Sequence, residues 1–425
     1  MMQPWFPDAK LGIFIHYGIY AVKGIAESWS FFNGQIGYDD YMSQLDGFTA
    51  SKYDPEQWAD LFERAGAKYA VLTTKHHDGV ALWDTKANDL SVVKKTPARR
   101  DLITPYVEAL RRRGLKVGFY FSHLDWSHPD YATVFPAGYD PERGQNRFTN
   151  RFAYPAPGQE NPEAWDRFIR FHRQQLEELS TQFGPIDIFW FDGEWERDPE
   201  QFDMKGLRDQ LTAWQPNAIF NSRLLGYGDY ATPEQGIPIT PPEGPWEFCV
   251  TVNDSWGYQV QDRNHKSVRQ IVRMFAETIG MGGNMLLDVG PYEDGSLQPE
   301  QVQRLEGLGN WIRKHDEAIY GTAAGLPQGL FYGASTKSKD ERALYLFFFD
   351  KPFDQIPVKG LLSDIKRVSV VGSGTELTHT KVGGLGDTPG VVWIDVPDEV
   401  IDESSTVLKL ELDEPLRVYT GVGRR

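Results

Sequence analysis

The residues best equipped for chemistry collect where short apolar runs stop. Ile186-Asp187-Ile188-Phe189-Trp190-Phe191-Asp192-Gly193-Glu194-Trp195 starts as an apolar strand and ends in an acidic, aromatic, glycine-containing turn. Three other runs stop in the same way: one at His16, one at Lys75-His76-His77-Asp78-Gly79, and one just before Arg223. A carboxylate at the C-terminal end of a buried parallel strand occupies the position where α/β barrels keep their chemistry. Asp192 is therefore the candidate nucleophile; the alternative is a helix-capping aspartate with Glu194 solvated beside it. Two carboxylates flanking a bond between sugars are the minimal apparatus of a glycosidase. The candidate partners for Asp192 are Glu234, Glu247 and Glu27, each of which also reads as one half of a structural ion pair.

Other chemistries fit less well. His16, His76, His77 and Asp192 have the types of a His/carboxylate metal cluster. Adjacent histidines on an extended strand point to opposite faces, however, so no metal is expected. There is no G-x-S-x-G elbow. The single cysteine, Cys249, lies between Phe248 and Val250 and reads as a buried, inert thiol.

These groups need a frame. Runs at 11–18, 68–74, 116–122, 186–191, 218–221, 246–252 and 284–290 read as strands. Helical patterns at 55–67, 102–113, 163–182, 204–211, 267–279 and 299–319 alternate with them. Alternation this regular, with polar residues repeatedly at strand C-termini, predicts a (β/α)₈-like barrel. A doubly wound open sheet would carry a Gly-rich phosphate fingerprint after a strand, and none is present. The stretch 127–162 has no clear period and reads as a long functional loop. After about Leu326 short strands separated by Gly, Pro, Asp and Ser predict a β-sandwich, so the expected domains are 1–326 and 327–425.

The chain has 425 residues, a net charge of −16 and 13% aromatic residues, including 13 Trp and 19 Tyr. The acidity argues against nucleic acid and anionic membranes as partners. The aromatic richness favours a carbohydrate, whose rings pack well on aromatic faces. No run approaches the length of a membrane-spanning helix. The N-terminus has no basic or apolar leader, which together with the lone cysteine gives a cytoplasmic expectation; a removed leader would leave the same pattern.

With these residues laid out, the sequence resembles the family 29 glycoside hydrolases, the retaining α-L-fucosidases, over about residues 4–325. The resemblance rests on Trp5–Gly18, Thr74–Gly79, Trp190-Phe191-Asp192-Gly193, Asn253–Tyr258 and Gly283–Pro291. It implies a barrel followed by a β-sandwich, a fucosylated glycan as substrate, and no cofactor. It also implies that Asp192 is the nucleophile and that His16, His76, His77, Tyr120, Trp190 and Arg223 contact the sugar. Glu234 is the first choice for the acid/base and Glu247 the alternative. Glu27 resembles a sugar-binding glutamate, and Trp29 is expected beside it, although Ser28 separates the two where many relatives have Glu directly before Trp. An apolar wall for the C6 methyl is expected from Phe31, Phe32 and Trp83. The alternatives are the same mechanism on another L-sugar such as α-L-galactose, or a fucose-binding protein without turnover. The Pro233-Glu234-Gln235 wording leans towards members restricted to α-1,3 and α-1,4 branches.

Overall fold

The computed structural model of the protein describes residues 2–131, 161–351 and 354–421. Among these residues seven parallel strands make the first sheet: β1 (Leu11–Ile15), β2 (Tyr69–Lys75), β3 (Lys116–Ser122), β4 (Ile188–Asp192), β5 (Ile219–Phe220), β6 (Glu247–Thr251) and β7 (Asn284–Val289). Their order is β5-β4-β3-β2-β1-β7-β6. The two-residue period of a strand decides what faces inward. In β4, Ile188 and Trp190 join Phe14, Val71, Tyr120, Cys249 and Leu286 in the barrel interior. Phe189 and Phe191 join the core shared with the helices. Both faces are apolar, as a helix-covered parallel sheet requires. The same period carries Asp192 onto the inner face behind Trp190, His16 behind Phe14, and Asp288 behind Leu286.

At the end of β2 the phase changes. Its register against β3 shifts between Thr73 and Lys75, an inserted residue of the β-bulge type. Lys75 consequently points outward, its Nζ 4.4 Å from the Phe121 ring centre and 3.6 Å from Asp125 Oδ2. His76 then faces the barrel mouth.

β5 and β6 are not paired with each other. The segment 230–235 runs between them and bridges both in parallel, through Asn221↔Tyr230, Ala231↔Trp246 and Glu234↔Cys249. The Cys249 N–H donates to the Pro233 carbonyl at 3.0 Å and the Gln235 N–H to the Cys249 carbonyl at 2.9 Å. This is the eighth stave of the barrel. It is irregular because Pro233 has no N–H to give and Gln235 has a φ of 57°. No helix separates it from β5 or from β6.

The surrounding helices begin where their capping residues dictate. Asp54 accepts from the Glu56 and Gln57 N–H groups ahead of Pro55–Ala65, and Asn161 does the same for Pro162–Thr181. Ser267 and Gln270 form a capping box on Val268–Gly280. The last helix, Pro299–Lys314, stops short of the expected Ile319 and gives way to a 3₁₀ turn. No helix among the described residues is long and apolar enough to cross a membrane.

Among the described residues the C-terminal sandwich has nine strands: β8 (Thr322–Ala324), β9 (Ala334–Ser338), β10 (Ala343–Phe348), β11 (Gln355–Val358), β12 (Ile365–Val370), β13 (Glu376–Leu377), β14 (His379–Val382), β15 (Val391–Asp395) and β16 (Thr406–Leu412). A six-stranded sheet, β13-β12-β16-β10-β9-β8, packs on a three-stranded one, β11-β15-β14. Alternation in β10 ties the two halves together. Leu344, Leu346 and Phe348 enter the sandwich core, while Tyr345 and Phe347 enter the barrel's helix layer. The Trp311 indole N–H donates to the Ser405 carbonyl at 2.9 Å across this contact.

Candidate active site

At the C-terminal mouth of the barrel lies a cavity of about 130 Å³. Of the residues expected from sequence, His16, Trp29, His76, Tyr120, Trp190, Asp192, Arg223 and Glu234 line it. Asp192 is its centre. The Tyr120 hydroxyl donates to Asp192 Oδ2 at 2.8 Å, and Arg223 Nη1 donates to Oδ1 at 2.5 Å. The other arm of the guanidinium, Nη2, donates to Glu234 Oε2, also at 2.5 Å. One planar fork therefore holds two carboxylates from two different staves. Its carbon lies 4.7 Å from the Trp190 ring centre, and Trp190 in turn stacks against Tyr120. Burial opposes the charge on Arg223, but Asp192, Glu194 and Glu234 outweigh it and drive the group further up. Gly193 makes the turn after Asp192 at a φ of 81°, and a Cβ there would stand 2.5 Å from Leu124 Cγ.

The three histidines share one construction. His16 Nδ1 is 2.6 Å from Asp288 Oδ1, His76 Nδ1 is 2.7 Å from the Ser28 hydroxyl, and His77 Nδ1 is 2.5 Å from the Ser122 hydroxyl. Each ring is thus fixed through Nδ1, leaving Nε2 for the site. His77 Nε2 lies 3.6 Å from Asp192 Oδ2 behind the cavity wall. Burial pushes His76 down to about 4 and lowers His16 and His77 as well, so these rings are neutral at pH 7. Neutral imidazoles both donate and accept, which suits sugar hydroxyls. Burial holds the Tyr120 phenol, helped by Asp192, well above its ordinary range, so it remains a donor.

Several sequence expectations are corrected. His76 and His77 do not diverge: they lie past the last residue of β2, their ring centres 4.3 Å apart, and both reach towards Asp192. Ligand atoms of His76, His77 and Asp192 lie within 4.8 Å of one another, so alternation gives no reason to separate them. Glu247 does not face the cavity. It is fully buried in the barrel, with Oε2 accepting from the Tyr69 hydroxyl and Oε1 from the Trp190 indole at 3.0 Å. Glu27 is also buried behind the wall, accepting from the Gly257 N–H. Phe31, Phe32 and Trp83 belong to the core, Phe32 stacking on Trp126 at 3.9 Å.

The apolar lining beside the buried histidines comes instead from Phe14 and Trp256, while Trp195 borders the cavity at its exposed outer edge. Phe14 was signalled by its place two residues before His16. Trp256 sits in the Asn253–Tyr258 motif, and its ring centre is 5.0 Å from that of His16. Asp288 carried no signal beyond lying inside a quoted motif, Ser28 none beyond separating Glu27 from Trp29, and Ser122 none beyond ending its expected strand. Glu234 is on the open rim, its side chain 38% exposed. Most of the long loop expected at 127–162 lies outside the described residues.

Residues 1–317 match the family model described as alpha-L-fucosidase. The human tissue alpha-L-fucosidase is 31% identical over 434 residues, covering 94% of this chain and 84% of that protein. The solved alpha-L-fucosidase isoenzyme 1 from Paenibacillus thiaminolyticus superposes with a TM-score of 0.85 at 32% identity, covering 96% of this chain and 98% of that one. A GH29 alpha-L-fucosidase from Bacteroides thetaiotaomicron, trapped as a covalent intermediate with 2-fluoro-fucosyl fluoride in a glutamate-to-glutamine variant, superposes with a TM-score of 0.81 at 25% identity, covering 96% and 94%. The chain belongs to the α-L-fucosidase family of glycoside hydrolases.

Proposed function

We propose that this protein hydrolyses terminal α-L-fucosides of glycans with retention of configuration, using Asp192 as nucleophile and Glu234 as acid and base. The observation that carries the assignment is the Arg223 fork, which holds both carboxylates at one cavity. Retaining enzymes keep their two carboxyl groups only ~5–5.5 Å apart, whereas inverting ones leave ~6.5–9.5 Å for a water. Two carboxylates bound to adjacent nitrogens of a single guanidinium support the close arrangement.

The neutral Nε2 atoms of His16 and His76 and the Tyr120 hydroxyl orient the fucosyl hydroxyls, and Phe14 and Trp256 provide the apolar side that a 6-deoxy sugar needs. In the first step an Asp192 oxygen attacks the anomeric carbon. Glu234, released from Arg223 and protonated, gives its proton to the glycosidic oxygen, which departs with the rest of the glycan. The product is a β-linked fucosyl ester on Asp192. Glu234, again a carboxylate and a partner for Arg223, then takes a proton from water. The resulting hydroxide equivalent attacks the anomeric carbon from the α face, Asp192 leaves, and α-L-fucose is released.

The stereochemistry of azide rescue tests both roles. Asp192→Gly loses hydrolysis of an aryl α-L-fucoside and, with azide, yields β-L-fucosyl azide, the product of one inversion. Glu234→Ala with azide yields α-L-fucosyl azide, the product of two. Wild-type-like hydrolysis by Asp192→Gly, or α-azide from Glu247→Ala but not from Glu234→Ala, would overturn the assignment.

A further inference from the structure

The cavity has a closed floor and an open rim. Phe14, His16, His76, Tyr120 and Trp190 in the floor are all buried. Two members of the lining stand out to solvent: Glu234, with 38% of its side chain exposed, and Trp195, at 40%. The leaving oxygen must meet Glu234, so the part of the glycan beyond fucose emerges at this rim.

Single exposed apolar side chains need no explanation. Trp195 is different, because it is the outermost ring of an aromatic column rooted in the core. Its indole stacks on Trp29 with centres 5.8 Å apart and planes 22° from parallel. Trp29 stands edge-on to Trp126 at 5.2 Å, and Trp126 stacks on Phe32 at 3.9 Å. The turn itself is pinned one residue later, where the buried Glu196 accepts from the Tyr131 hydroxyl at 2.6 Å. Within the turn the Glu194 Oε2 is buried while the Trp195 side chain stands out to solvent. One indole face is therefore held rigidly at the rim, the arrangement that lowers the entropic cost of binding.

We infer that Trp195 forms the aglycone subsite, stacking the C–H face of the pyranose ring to which the fucose is attached. This rests on the fucosidase reading and goes beyond it, because it states that the enzyme recognises the sugar next to fucose. A small aglycone without a ring does not reach this face, whereas a disaccharide does. Trp195 acts on KM for glycans and leaves the chemistry at Asp192 unchanged.

The test compares wild type, Trp195→Ala and Trp195→Phe on α-L-fucosyl fluoride and on a panel of α-1,2, α-1,3 and α-1,4 fucosyl-hexopyranose disaccharides. For the best-cleaved disaccharide, Trp195→Ala lowers kcat/KM about tenfold, mostly through KM, as loss of one aromatic anchor predicts. Turnover of fucosyl fluoride stays within about twofold, and Trp195→Phe, which keeps an aromatic face, recovers most of the loss. Equal losses on both substrates would show that Trp195 merely supports Trp29 and His77, and would sink the subsite. No loss on any disaccharide would sink it too. A wild-type protein that leaves fucosyl fluoride intact would instead overturn the fucosidase reading itself.

Discussion

Replacing Glu247 by Gln separates a structural carboxyl from a catalytic one. Glu247 is fully buried, and its two oxygens accept from Tyr69 and Trp190. Burial pushes its pKa up from 4.5 to about 7, partly offset by those two donors. Between these values the folded protein keeps a proton that the unfolded chain has released. The associated stability is full below pH ~4.5 and is lost as pH rises through ~7. At about 1.4 kcal/mol per pKa unit, the gap corresponds to about 3 kcal/mol. A glutamine has no such proton to lose. Relative to wild type, Glu247→Gln therefore gains about 3 kcal/mol between pH 4.5 and 8. Urea unfolding of both proteins side by side at pH 5, 6, 7 and 8, followed by tryptophan fluorescence, measures this difference, from which titrations common to both proteins cancel. A difference that stays constant across the range would refute the buried-carboxyl account. Glu247→Gln should also gain no turnover from added azide, which an acid/base position would show.

Three further outcomes follow from the same geometry. Ser28→Ala and Ser122→Ala each remove the Nδ1 partner of a site histidine, and each should lower kcat/KM roughly 2–10-fold, the worth of one hydrogen bond. Inhibition by free fucose reads the His76 side of this, and kcat reads the His77 side, because His77 is the ring beside Asp192. Gly193→Ala places a Cβ against Leu124 at a φ of 81° and should cost more than about 1 kcal/mol of stability while lowering kcat. Burial sets His76 at about 4, so its neutral form persists from pH 7 down to 5 and is lost as pH falls through ~4. Fucose affinity should be flat from pH 7 to 5 and then fall; an inflection near the ordinary histidine value of ~6.5 would contradict the burial.

Much of this was legible in the sequence because strand periodicity is local. An apolar run ending in Asp192 predicts both a helix-covered parallel strand and the face the carboxylate occupies. His16 and Arg223 follow from the same logic at their own strand ends. What sequence left hidden depends on breaks in that period. The inserted residue in β2 turns Lys75 outward, and the strand ends there, so alternation no longer applies to His76 and His77. The stave carrying Glu234 contains a proline and a left-handed residue, so it has no strand pattern to find. Aromatic residues are equally good as core and as pocket lining, which is why Phe31, Phe32 and Trp83 were expected where Phe14 and Trp256 stand. Glu27 and Glu247 could be told from Glu234 only by burial, a tertiary property.

The irregular stave has one more consequence. Asp192 is paired with Ser122 in the ladder that joins β4 to β3, whereas Glu234 rides on the joint where the barrel is sewn shut. The chain leaving that joint is tied to the C-terminal half, where the Gln328 side-chain amide donates to the Ile239 carbonyl at 2.6 Å. On the roles proposed above, heat that frays the seam is expected to displace the acid/base before the nucleophile. Loss of activity on heating should then run ahead of the melting transition, and the C-terminal half, which among the described residues contributes no group to the cavity lining, steadies the chain that follows Glu234.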